Sequence, residues 1–177
     1  MEATVVSILL LFLLLVAVIT DLAARRIPNL LVLPFWLLAP AIHFLLAGVS
    51  GLLASLAGLG VALGVGLVFW LPRWLGAGDV KLMAAVGGLV TVSLVWQALA
   101  ATALCGLVLA LSALAWRGMA GRALQRYWAS IALTVAGRKA VYIRPEQSEQ
   151  EVRLAYALAI AGGTAIVWLM HLGVLPV

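Results

Sequence analysis

The stretch Leu82-Met-Ala-Ala-Val-Gly-Gly-Leu-Val-Thr-Val-Ser-Leu-Val-Trp-Gln97 continues to Trp116 without one Asp, Glu, Lys or Arg, 35 residues in all. A helix rising 1.5 Å per residue crosses a hydrocarbon layer of roughly 30 Å in about 20 residues. The stretch is too long for one crossing and just long enough for two short ones, with a turn expected near Trp96 and Gln97. The rest of the chain agrees in character: of 177 residues, 66% are hydrophobic and 10% charged, against about 45–50% apolar and about 25% charged in a soluble domain. That composition excludes a soluble enzyme, a DNA-binding domain and a secreted disulfide scaffold. One cysteine, Cys105, forms neither an internal disulfide nor a four-cysteine zinc site.

Charges bound the other apolar runs, at residues 3–20, 30–47, 51–71 and 154–172. The expectation is an all-α polytopic membrane protein: a bundle of about six transmembrane helices forming a single transmembrane domain over residues 1–177. All eleven Lys and Arg fall in three segments: Arg25 and Arg26, then Arg73 and Lys81, then seven between Trp116 and Leu154. The alternate segments carry none. Basic residues near span ends mark the cytoplasmic side, so the N-terminus and the C-terminus are both expected outside, with a basic cytoplasmic loop at residues 117–153. The net charge of +5 then reflects topology, and the partner implied is the lipid bilayer, with no nucleic acid. Residues 3–20 lack the basic n-region and the small-x-small site of a cleaved signal peptide, and are read as an anchor.

Smaller features carry their own expectations. Residues 119–128 mix basic and aromatic side chains as an interfacial helix does, and Ser148-Glu149-Gln150-Glu151 has the spacing of a capping box. Gly60 and Gly64 form a GxxxG pair, assigned to packing inside the bundle. Pro34 and Pro40 are expected to bend the second span. His43 and His171 map to the outer ends of their spans, at the headgroup level, and Cys105 is read as a buried apolar residue. No metal site and no cofactor are expected.

Six acids exist, and ionisable residues at membrane depth are functional candidates by default. Glu2, Glu146, Glu149 and Glu151 lie at the terminus or in the polar loop. Asp21 and Asp79 remain: Asp21 ends the first span and Asp79 precedes the fourth, both at the cytoplasmic boundary. Two carboxylates that approach closely cannot both ionise, so one keeps a proton at neutral pH. The ionised one takes a proton from water while the neutral one polarises a carbonyl, the pattern of peptide hydrolysis by general acid–base chemistry. Gly76 and Gly78 stand just before Asp79, where glycine allows close backbone approach.

Gly76-Ala77-Gly78-Asp79-Val80-Lys81-Leu82 resembles the GxGD motif of type IV prepilin peptidases, membrane aspartic proteases that remove leader peptides from pilin precursors. Asp21 followed by Arg26-Ile27-Pro28-Asn29 resembles their first motif. Tyr156-Ala157-Leu158-Ala159-Ile160-Ala161-Gly162 is similar to their last-span segment, with Ala155 where a proline is common. The resemblance implies Asp21 and Asp79 as the catalytic pair, with Gly76, Gly78 and Lys81 supporting the loop beside the scissile bond. It further implies a bacterial inner membrane enzyme acting at the cytoplasmic face on a prepilin or pilin-like precursor. The single cysteine and the start close to the first span suit the short, peptidase-only type serving tight-adherence pili, so methyltransferase activity is not expected. The competing reading is a small proton- or cation-coupled membrane carrier, but such acids usually sit near the midplane in repeated halves, and no repeat is visible here.

Overall fold

The computed structural model describes residues 2–72, 75–116 and 156–175. Within them all regular structure is helical: α1 (Glu2–Ala24), α2 (Asn29–Trp70), α3 (Ala77–Trp116) and α4 (Tyr156–His171). Three of these, α1, α2 and α3, are long and apolar enough to cross a membrane. The chain packs as two units, Met1–Gly106 with Ala155–Val177, and Leu107–Leu154. The interfacial segment at 119–128, the capping box at 148–151 and the rest of the 117–153 loop lie outside the described residues.

α1 stops because Arg25 turns left-handed (φ 51°) and its N–H closes on the Asp21 carbonyl at 2.8 Å, the single-bond form of a left-handed helix cap. Pro28 then opens α2 from an extended conformation. α2 has 42 residues, roughly 63 Å if straight, about twice the hydrocarbon thickness. It is divided at Gly48, where φ 67° and ψ −149° suit a residue without a Cβ. Its two arms lie along α3 in opposite directions. Trp36 and His43 on the first arm reach Lys81 and Leu89, while Ser55 and Gly66 on the second meet Gly88 and Val80. Pro34 and Pro40 lie inside the first arm, and the non-helical backbone of α2 is at Gly48.

α3 departs from the expected boundaries in a coherent way. It begins at Ala77 rather than Leu82, and its backbone breaks at Thr91 (φ 62°, ψ 175°) rather than at Trp96 and Gln97. Both boundaries move about five residues toward the N-terminus. The cause is local: Asp79 sits in the first turn and its Oδ2 accepts the Gly76 N–H at 3.2 Å, the reach-back half of a capping box. The helix therefore starts at its cap, and not after the last charge, Lys81. At the far end, Ser55 Oγ donates to the Gly88 carbonyl at 2.7 Å and His43 Nε2 to the Leu89 carbonyl at 3.0 Å. The β-branched Thr91 pays for a backbone it rarely adopts; its Oγ1 lies 2.9 Å from Ser93 Oγ.

Leu13, Leu82, Leu89 and Ile160 form the fully buried centre, and small residues let the helices close around it. Ala17, Ala39, Ala84, Ala85 and Ala157 are all buried, as helix contacts in lipid favour. The packing stripe of the second arm is Gly58, Ala62 and Gly66, all buried. Gly58 faces Gly87 backbone to backbone, whereas a Cβ at Gly60 or Gly64 would meet nothing within 4 Å. The expected use of the Gly60–Gly64 pair inside the bundle is thus overturned: the inward phase of the helix is two residues away. Leu37 and Leu45 (79% and 80% exposed) face outward, consistent with a lipid-facing surface.

Candidate active site

Asp21 and Asp79 come from different helices and meet at one end of the bundle. Asp21 occupies the last turn of α1 and is buried. Its Oδ2 accepts the backbone N–H of Ala157 from the first turn of α4 at 3.2 Å. Asp79 is half-buried and held by the Gly76 N–H. The two carboxylates lie close enough to interact as like charges, and Asp79 also interacts with the Tyr156 phenol. Each acid therefore keeps at least one oxygen free of its anchoring N–H. Asp79 is the more accessible of the two, next to exposed Gly76 and Ala77; Asp21 stands behind it against α4.

The supporting residues act mainly through close approach. Neither Gly76 nor Gly78 has a positive φ, and Gly78 lies within α3, so unusual backbone angles are not their contribution. A Cβ on Gly76 would come within 2.8 Å of Asp79 Oδ2, crowding the oxygen that caps the helix. A Cβ on Gly78 would come within 3.3 Å of Ile27 Cβ, where the turn between α1 and α2 packs on the start of α3. Lys81 Nζ donates to Asn29 Oδ1 at 2.9 Å, and Trp36 Nε1 donates to the Lys81 carbonyl at 3.1 Å. Of the residues that surround the pair, Ile27, Asn29, Trp36 and the Ala157 N–H were not singled out as partners from the sequence. Ile27, Asn29 and Ala157 belong to the motifs around the two ends of the site, but a backbone donor has no side-chain signature to find it by.

The two histidines lie at the other end of the bundle. His43 is buried and bound to the Leu89 carbonyl, correcting its expected place among the headgroups: a carbonyl beside the helix break draws the imidazole inward. His171 is exposed and tilted on Trp168, with ring centroids 5.4 Å apart. Both line a cavity of about 630 Å3 with Ala3, Ser50, Thr91 and Ser93. None of its described lining residues is an acid, and neither aspartate is among them. Cys105 is half-buried rather than fully so. Among the described residues, no cluster of three or more His, Cys, Asp and Glu is placed to hold a metal ion.

Two carboxylates, one accessible and one backed by a backbone donor, can divide the roles of base and acid toward a water molecule and a carbonyl. The chain matches the profile of the type IV leader peptidase family over residues 8–111, a segment that contains both aspartates. Comparison with curated proteins and with solved structures finds no significant match. Since the match covers more than half of the 177 residues and includes both acids brought together at this site, the chain belongs to the type IV leader peptidase family.

Proposed function

We propose that the protein is a membrane-embedded aspartic endopeptidase that cleaves the leader peptide from type IV prepilins or related pilin-like precursors. Family membership makes it a protease, and the observation that carries the mechanism is the approach of Asp21 and Asp79 from separate helices. The pair shares one proton. The ionised carboxylate removes a proton from a water molecule as it attacks the scissile carbonyl. The protonated carboxylate donates a hydrogen bond to that carbonyl oxygen. Collapse of the tetrahedral intermediate breaks the C–N bond as the new amine takes up a proton from the pair. Both carboxylates titrate as a unit, and the roles of acid and base belong to the pair.

The chain crosses the bacterial inner membrane six times in this reading, α2 and α3 each contributing two crossings on either side of Gly48 and Thr91. Both termini are outside. Support comes from the basic residues: Arg25, Arg26 and Lys81 flank the aspartates at the same end of the bundle, the end that the charge rule assigns to the cytoplasm. A prepilin has its leader in the cytoplasm and its apolar helix in the bilayer, so its cleavage site arrives at this depth. Gly76, by keeping a side chain away from Asp79, leaves space for an extended peptide, and Gly78 lets the start of α3 pack closely on Ile27. The carrier reading finds no support in the family match.

Co-expression with a candidate prepilin tests the proposal. Leader loss, scored by gel shift, is expected with the wild-type chain and is expected to fall by about a thousandfold or more with Asp21→Asn or Asp79→Asn, membrane insertion being equal in all three. Cleavage that survives either substitution overturns the two-aspartate mechanism.

A further inference from the structure

Each aspartate has its own anchor, Ala157 for Asp21 and Gly76 for Asp79. These anchors orient the carboxylates but do not join the segments that carry them. Three contacts do. Gly78 packs on Ile27, Trp36 Nε1 holds the Lys81 carbonyl, and Lys81 Nζ reaches Asn29 Oδ1. Asn29 opens α2 eight residues after Asp21, and Lys81 follows Asp79 by two. Between Asp21 and Asn29 the chain is stiffened by the left-handed Arg25 and by Pro28. A displacement of Asn29 relative to Lys81 is therefore carried to the two carboxylates.

We infer that the Lys81–Asn29 hydrogen bond is a clip that sets the separation of Asp21 and Asp79, making Lys81 and Asn29 positioning residues for the hydrolysis proposed above. The ammonium of Lys81 is directed to an amide oxygen at 2.9 Å in an exposed, charge-assisted bond. It rests on the peptidase reading for its consequence in catalysis, and on geometry alone for its existence.

The experiment uses the full chain in membranes and has two arms. In a Cys105→Ala background, Ile27→Cys with Gly78→Cys serves as a ruler, because the Cβ positions at 3.3 Å are close to the 3.5–4.5 Å that a disulfide spans. Lys81→Met or Asn29→Ala is expected to slow oxidative crosslinking by roughly tenfold, and the double variant by no more than either single. Asn29→Asp, which keeps the acceptor and adds charge, is expected to retain the wild-type rate. In chains without the engineered cysteines, the same variants are expected to lower kcat on a prepilin by about tenfold with KM within about twofold, and Asn29→Asp to restore it.

A crosslinking rate indifferent to Asn29→Ala and Lys81→Met overturns the clip. So does a raised KM at unchanged kcat, which would make Lys81 a substrate contact, or an effect of Lys81→Met that Asn29→Ala does not share, which would make it a topology anchor. Should the ruler pair fail to assemble, the kinetic arm decides. Should the wild-type chain cut no prepilin, the peptidase reading falls and the crosslinking arm still supports or overturns the clip.

Discussion

The two ends of the bundle use polar groups differently. At the end carrying Asp21 and Asp79, backbone N–H groups are turned toward side-chain oxygens: Ala157 to Asp21 and Gly76 to Asp79. At the other end, side-chain donors are turned toward backbone carbonyls: Ser55 to Gly88 and His43 to Leu89. In the first case the backbone holds a carboxylate in place. In the second the side chain repairs a backbone disturbed by the turn at Thr91. A cavity of about 630 Å3 lies at the second end, and none of its described lining residues is an acid.

The sharpest separation of the ends is between activity and stability. Asp79→Asn should remove leader cleavage and leave thermal unfolding in detergent almost unmoved, whereas Gly87→Val should do the reverse through the fold. A Cβ at Gly87 meets the Gly58 carbonyl and the Ala62 side chain, and overpacking of this kind costs about 3 kcal/mol; a Tm equal to wild type would contradict the close approach of these helices. Next in size, His43→Leu leaves the Leu89 carbonyl without its donor. A loss of about 2 kcal/mol is expected, with kcat/KM on a prepilin unchanged. Lost cleavage in a chain that still unfolds at the wild-type temperature would mean that the two ends are not independent. The smallest effect is expected at Gly60→Ala. The new methyl group meets nothing within 4 Å, and stability should move by under about 1 kcal/mol; a large loss would place Gly60 in a contact.

Hydropathy and charge made much of this legible beforehand. The apolar runs anticipate α1, the two arms of α2 and all of α4, and the gap between the runs ending at 47 and starting at 51 marks where α2 turns back. The two acids stood out because nothing else in the apolar segments is ionisable and acidic. What escaped was decided by competition between local groups rather than by composition. Asp79 capping its own helix moved the start of α3 from Leu82 to Ala77, and the break moved with it to Thr91. His43 was drawn inward by a carbonyl that only the break makes available. Gly60 and Gly64 matched a motif, but the phase of the second arm is set by Gly58, Ala62 and Gly66, and a motif does not record which way its helix is rotated.

The bond between Asp21 and Ala157 also has a meaning in time. The two residues are separated by 136 positions in the chain, so the carboxylate leaves the ribosome long before the amide that will anchor it. At synthesis rates of about 5–20 residues per second, that interval is roughly 7 to 27 seconds. Once α3 is complete both acids are present, yet Asp21 still lacks its donor. Completion of the last helix supplies it, so the site becomes whole only when translation of the helical core is nearly finished.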